Sequence, residues 1–63
     1  MTIDECLAKL HAGGWSVGDT AIEQNGVRLW FVYGHRDDQK ILGRALSQAD
    51  AWRSAVRSAA SVE

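Results

Sequence analysis

The chain has 63 residues, enough for one domain, and a domain this short buries only about 60% of its unfolded surface, so a disulfide, a metal or a partner chain commonly supplements the core. Its single cysteine, Cys6, excludes an intramolecular disulfide and suits a reducing compartment, while a net charge of −1 excludes any global pull toward nucleic acid or anionic membrane. With no apolar run of bilayer-spanning length and no signal-peptide core, the chain is expected to be cytoplasmic, and its start at Met1 suggests a complete small protein, with an excised domain as the alternative.

In chain order, Thr2-Ile3-Asp4-Glu5 is a capping-box pattern, and Ile3, Cys6, Leu7 and Leu10 follow as one apolar stripe. Gly13-Gly14 ends this helix, predicted over 2–12, and His11 stands where it meets the C-terminal end of the helix dipole. Alternation resumes at Trp15 and predicts a strand over about 15–24, interrupted at Gly18-Asp19 by a bulge or a turn. Asn25-Gly26 is a strong hairpin signal; with a second strand over 27–34 it pairs Gln24 with Val27, Glu23 with Arg28, Ile22 with Leu29, Ala21 with Trp30 and Thr20 with Phe31. That register matches opposite charges on one face and aliphatic residues on the other. Residues 35–39 read as a polar turn and 40–46 as a third strand. Ser47 caps a second helix over 48–60, with Asp50 at the third helical position and Trp52, Ala55, Val56, Ala59 and Ala60 as its apolar stripe.

The predicted fold class is therefore α+β, of order αβββα: residues 1–63 form a single small domain with a three-stranded antiparallel sheet and both helices on one face. The expected inner face takes Ile22, Leu29, Phe31 and Tyr33, with Val27 near the turn, joined by Leu7, Leu10, Trp52 and Val56 from the helices. Trp30 and Val32 then face outward, bordered by Ala21, Glu23 and Arg28, with either Ile41 or Leu42 and Arg44 beside them on the third strand. A strand apolar on both faces departs from the alternation of a half-solvated sheet. Either Trp30 and Val32 form a contact surface, or residues 15–19 fold over them.

No catalytic constellation can be assembled from these residues, so no enzyme is expected. Cys6 lies on an apolar helix stripe rather than in an electropositive, accessible setting. His35, Asp37 and Asp38 share a turn, but their spacing matches no zinc or calcium pattern, and the glycines form no phosphate cradle. No cofactor and no metal are expected.

At the junction of the third strand and second helix, Gly43-Arg44-Ala45-Leu46-Ser47 is similar to the G-x-G/A-x-S entry of the double-stranded RNA-binding domain. Ala51 and Ala55 fall where that family's final helix carries small packing residues, and the αβββα order resembles it over nearly the whole chain. The resemblance implies the fold. The family's lysine-rich phosphate clamp does not carry over, because Gln48, Ala49 and Trp52 stand at the corresponding positions. Duplex affinity depends chiefly on such cations, and Arg44, Arg53 and Arg57 remain as a thin substitute.

The functional expectation is a non-enzymatic protein-interaction module. It self-associates as a homodimer or docks on a larger protein through Trp30, Val32, Ala21 and Arg28. The alternative is an atypical nucleic-acid-binding domain that uses Arg44, Arg53 and Arg57; no membrane partner is expected.

Overall fold

A computed structural model describes residues 1–62 and has the order α1 (Ile3–Ala12), β1 (Ser16–Gln24), β2 (Val27–Arg36), β3 (Gln39–Ala45), α2 (Gln48–Ser61). The α+β class is the expected one: the strands form one antiparallel sheet in the order β1-β2-β3, and both helices pack on one of its faces.

Local chemistry sets the helix ends. The Thr2 hydroxyl accepts from the Glu5 amide at 3.2 Å, and the Thr2 amide donates to Glu5 Oε1 at 2.9 Å, which closes the capping box of α1. At the other end the Trp15 amide donates to the Leu10 carbonyl and the Gly14 amide to His11, with Gly14 left-handed (φ 86°), a Schellman ending. It turns Trp15 back onto Leu10, and both are buried. Ser47 caps α2 by accepting from the Asp50 amide at 3.3 Å.

All five hairpin pairs implied by Asn25-Gly26 are present, and Asn25 (φ 55°) and Gly26 (φ 78°) adopt the backbone of the expected two-residue turn. The expected interruption at Gly18-Asp19 is absent: β1 pairs without a break from Ser16 to Gln24. The second turn is also tighter than residues 35–39. Arg36 pairs with Gln39 across Asp37-Asp38, and Asp37 takes the left-handed conformation (φ 52°) that Asp tolerates.

The two faces are exchanged relative to the sequence expectation. The helix-covered rows of the sheet are Ala21–Trp30–Ala45, Asp19–Val32–Gly43 and Val17–Gly34–Ile41. Val32 is completely buried, and Trp30 packs against the core formed by Cys6, Leu10, Trp15, Ile41, Ala51, Trp52, Ala55 and Ala59. Leu7 and Val56 line its margin as expected, Ala60 is exposed, and Ala51 joins the buried stripe of α2. Ile22, Tyr33 and Val27, expected inside, are exposed, and Leu29 and Phe31 are half-buried on the far side.

Close approach explains the exchange. A Cβ on Gly43 would overlap the Ala51 carbonyl oxygen and lie 2.5 Å from the Ala55 amide nitrogen, so the backbone of α2 rests directly on β3. A face this thin has room for glycine and alanine between a few large side chains, and not for Ile22, Phe31 and Leu42. Asp19, the polar residue on this face, is satisfied from α2: its Oδ2 accepts from Gln48 Nε2 at 2.7 Å and from Trp52 Nε1 at 3.2 Å.

Two outcomes follow. Gly43→Ala should lower the unfolding free energy in urea by about 3 kcal/mol, because neither backbone group it meets can move without undocking α2. Glu5 supplies a pH signature. Its carboxyl is held below the ordinary 4.5, first by the Thr2 amide and then by the Thr2 side chain. A lowered carboxylate pKa contributes stability that is complete above the ordinary value and is lost as pH falls through the lowered one. Wild type should therefore exceed Glu5→Ala in thermal midpoint at neutral pH, by a margin that shrinks below about pH 4; a pH-independent margin would refute the assignment.

Candidate protein-interaction face

Side chains alternate along a strand, so every second residue of β1, β2 and β3 points away from the helices. The strand pairing orders these positions into rows: Ile22–Leu29, Thr20–Phe31–Arg44, Gly18–Tyr33–Leu42 and Ser16–His35–Lys40. Val27 extends the apolar strip toward the Asn25-Gly26 turn. No helix among the described residues covers this side. Leu42 is 58% exposed, Tyr33 51%, Val27 48% and Ile22 47%. A contiguous surface of four exposed and two half-buried large apolar side chains results, rather than isolated apolar residues of the kind any protein surface shows.

The face has internal structure. Tyr33 leans across β1, so that a Cβ on Gly18 would lie 2.9 Å from the tyrosine hydroxyl oxygen; the ring occupies the space the glycine leaves. The cations Lys40 and Arg44 lie on β3, His35 lies at the end of β2, and no carboxylate shares an outward position of β1, β2 or β3 with them.

The expected contact residues lie elsewhere. Val32, Trp30 and Ala21 belong to the helix-covered side, and the complete burial of Val32 removes it from any contact surface. Arg28 pairs with Glu23 across the hairpin at 3.1 Å, with both side chains largely in water, where such a pair contributes little. The expected nucleic-acid trio is divided as well. Arg44 is on the outward sheet face, whereas Arg53 and Arg57 are exposed on α2 across the sheet. Arg53 donates to the Met1 carbonyl at 3.1 Å and pairs with Asp50.

Other places offer less chemistry. Cys6 is buried and unpaired in the core, as its stripe position predicts. Among the described residues no three His, Cys, Asp or Glu side chains gather as metal ligands. A cleft of about 260 Å³ between the ends of α1 and α2 is lined by Leu10, Gly13, Trp15, Val56 and Ala59, with Lys9 at hand. Trp15 Nε1 has no hydrogen-bond partner among the described residues, but it is fully enclosed, so a molecule in the cleft could not reach it. The Arg36 guanidinium carbon lies 4.4 Å from the Trp15 ring centroid, and its Nη1 donates to the Gly13 carbonyl at 2.8 Å, closing that end of the core. No helix among the described residues is long and apolar enough to cross a membrane.

Burial and exposure can be separated by a matched pair of substitutions. Val32→Thr places a hydroxyl without a partner in the core and should cost about 1–3 kcal/mol. Leu42→Thr on the outward face should stay within about 0.5 kcal/mol in dilute solution. Urea unfolding of both variants checks the assignment, and the reverse order would restore the exchanged faces.

Comparisons with protein-family models, with curated proteins and with solved structures found no match to this chain, so its assignment rests on the αβββα fold and on the chemistry of the outward sheet face.

Proposed function

We propose that this protein is a non-enzymatic interaction module that binds another protein surface through the outward face of its sheet. One observation carries the reading: Ile22, Val27, Tyr33 and Leu42 are exposed together on a face that no helix covers, beside half-buried Leu29 and Phe31. Desolvation of aromatic residues at the centre of a contact is a common source of binding energy, and Phe31 and Tyr33 occupy the central strand. Lys40 and Arg44 on β3 give the face a positive margin at one side, which favours a partner without cations opposite them. The buried, unpaired Cys6 fits a reducing compartment such as the cytoplasm.

The likeness to the double-stranded RNA-binding domain is one of topology, supported by the seating of Ala51 and Ala55 on Gly43. It favours the nucleic-acid reading less, since Gln48, Ala49 and Trp52 replace the clamp and Arg44 is separated from Arg53 and Arg57.

Site-directed photocrosslinking in the producing cell tests the main reading. A benzophenone side chain at Leu42 should give a discrete covalent protein adduct, while the same group at Arg57 on α2 should give none. Equal labelling at both positions, or none at either, would remove the sheet face as the contact surface.

A further inference from the structure

We infer that the occupant of this face is a second copy of the same chain, packed sheet on sheet about a two-fold axis that runs along β2; the inference rests on the interaction reading above. Area is the first argument. β2 has 10 residues, and three strands about 4.8 Å apart, rising about 3.3 Å per residue, give a face of roughly 450 Å² in plan. Allowing for side-chain relief, two such faces withdraw on the order of 1,200 Å² from water, at the lower end of what specific interfaces bury. A chain of 63 residues is also short of core, and a second sheet supplies what its own length does not.

Charge and size then choose the axis. Two sheets packed face to face can be related by a two-fold in the interface plane, either across the strands or along them. Across the strands, β3 stacks on β3, so Arg44 meets Arg44 or Lys40 of the other copy, depending on the row the axis crosses, and no outward position of the three strands holds a carboxylate to relieve the repulsion. Along β2, β3 of one copy lies over β1 of the other. Arg44 then faces Thr20 of the second copy, and Lys40 faces Ser16. Leu42 stands over Gly18, against the Tyr33 ring that covers it. Long side chains of β3 thus meet short ones of β1 or the Tyr33 ring that leans over it, while Phe31 meets its own counterpart near the axis. The axis bisects the directions of the two β2 strands, about 15° from each, so that the sheets cross at about −30°, the aligned angle that strand twist imposes.

Sedimentation equilibrium of the intact chain and of outward-face variants tests this. The wild type should be dimeric, and Phe31→Asp, which leaves the core untouched, should raise Kd by about 100-fold. Thr20→Lys should raise Kd by about 10-fold, Thr20→Glu should lower it by about 10-fold, and Thr20→Lys with Arg44→Glu should restore it, because position 20 faces Arg44 of the other copy. Circular dichroism of each variant confirms that it is folded, and the wild-type thermal midpoint should rise with protein concentration. A wild type that stays monomeric up to about 1 mM overturns the inference. In that case a Leu42 adduct with a different protein preserves the interaction reading, whereas no adduct removes both. A ladder of higher oligomers would also overturn it, since that indicates open-ended pairing of the free β1 and β3 edges. So would a dimer insensitive to Phe31→Asp, or one in which duplex or single-stranded nucleic acid displaces the second copy.

Discussion

The contact on which the rest of the structure depends is the seating of α2 on the backbone of Gly43. The Ala51 carbonyl and the Ala55 amide occupy the space in which any other residue would place its Cβ. Ala51, Ala55 and Ala59 are all buried along the same helix stripe, so the helix approaches the sheet with almost no side-chain thickness between them. The consequence reaches both sides of the sheet. Opposite Gly43, Val32 fills the floor of the core, and Trp30, Trp15 and Trp52 close its margins. Large side chains that do not fit under α2 are left to the outward face, where Leu42 precedes Gly43 on β3 and Phe31 and Tyr33 flank Val32 on β2.

The same contact marks where reasoning from sequence succeeds and where it stops. Turn and cap chemistry is local, and local signals were legible: Asn25-Gly26 specified the five hairpin pairs nearest the turn, and Thr2 and Ser47 marked the helix starts. The choice of face is not local. Counting large apolar residues favours Ile22, Leu29, Phe31 and Tyr33 as the interior, and that count is a sound guide when helices stand off on bulky side chains. Here they do not. The signal that could have reversed the choice lay in the glycines, because Gly34 and Gly43 share the parity of Trp30, Val32 and Ile41, and glycine inside a strand marks close approach of other groups. Gly18 misled in the opposite sense. It reads as an interruption, yet the Tyr33 ring covers it, and donors from Trp52 and Gln48 hold Asp19 beside it, so the strand continues.

Charge was legible in amount but not in placement. The chain is nearly neutral, and its arginines suggest a patch only while their positions in space are unspecified. Folding sends Arg44 to one side of the sheet and Arg53 and Arg57 to the other, engages Arg53 with Met1 and Asp50, and engages Arg36 with Trp15, Gly13 and Gln39. What remains on the outward face is a lateral gradient, cationic along β3 and uncharged along β1. A gradient of this kind disfavours some pairings of two identical sheets and permits others, which is how electrostatics confers specificity without supplying much binding energy.

The outward side chains contribute little to the folding of one chain. Leu42 and Ile22 fill no cavity, and a sheet already held by α2 and the hairpin would keep its register with polar residues in their place. An apolar surface that folding does not require still costs solubility and leaves strand edges and side chains open to indiscriminate association. For a core of this size the most direct compensation is coverage by another sheet, because that buries Phe31 and Tyr33 at the centre of a second core and leaves the cations of β3 at its hydrated margin. Read in this way, the thinness of the inner face and the apolar character of the outer one have a single physical origin. Placing α2 against Gly43 leaves small residues beneath the helix and puts Phe31, Tyr33 and Leu42 on the uncovered face.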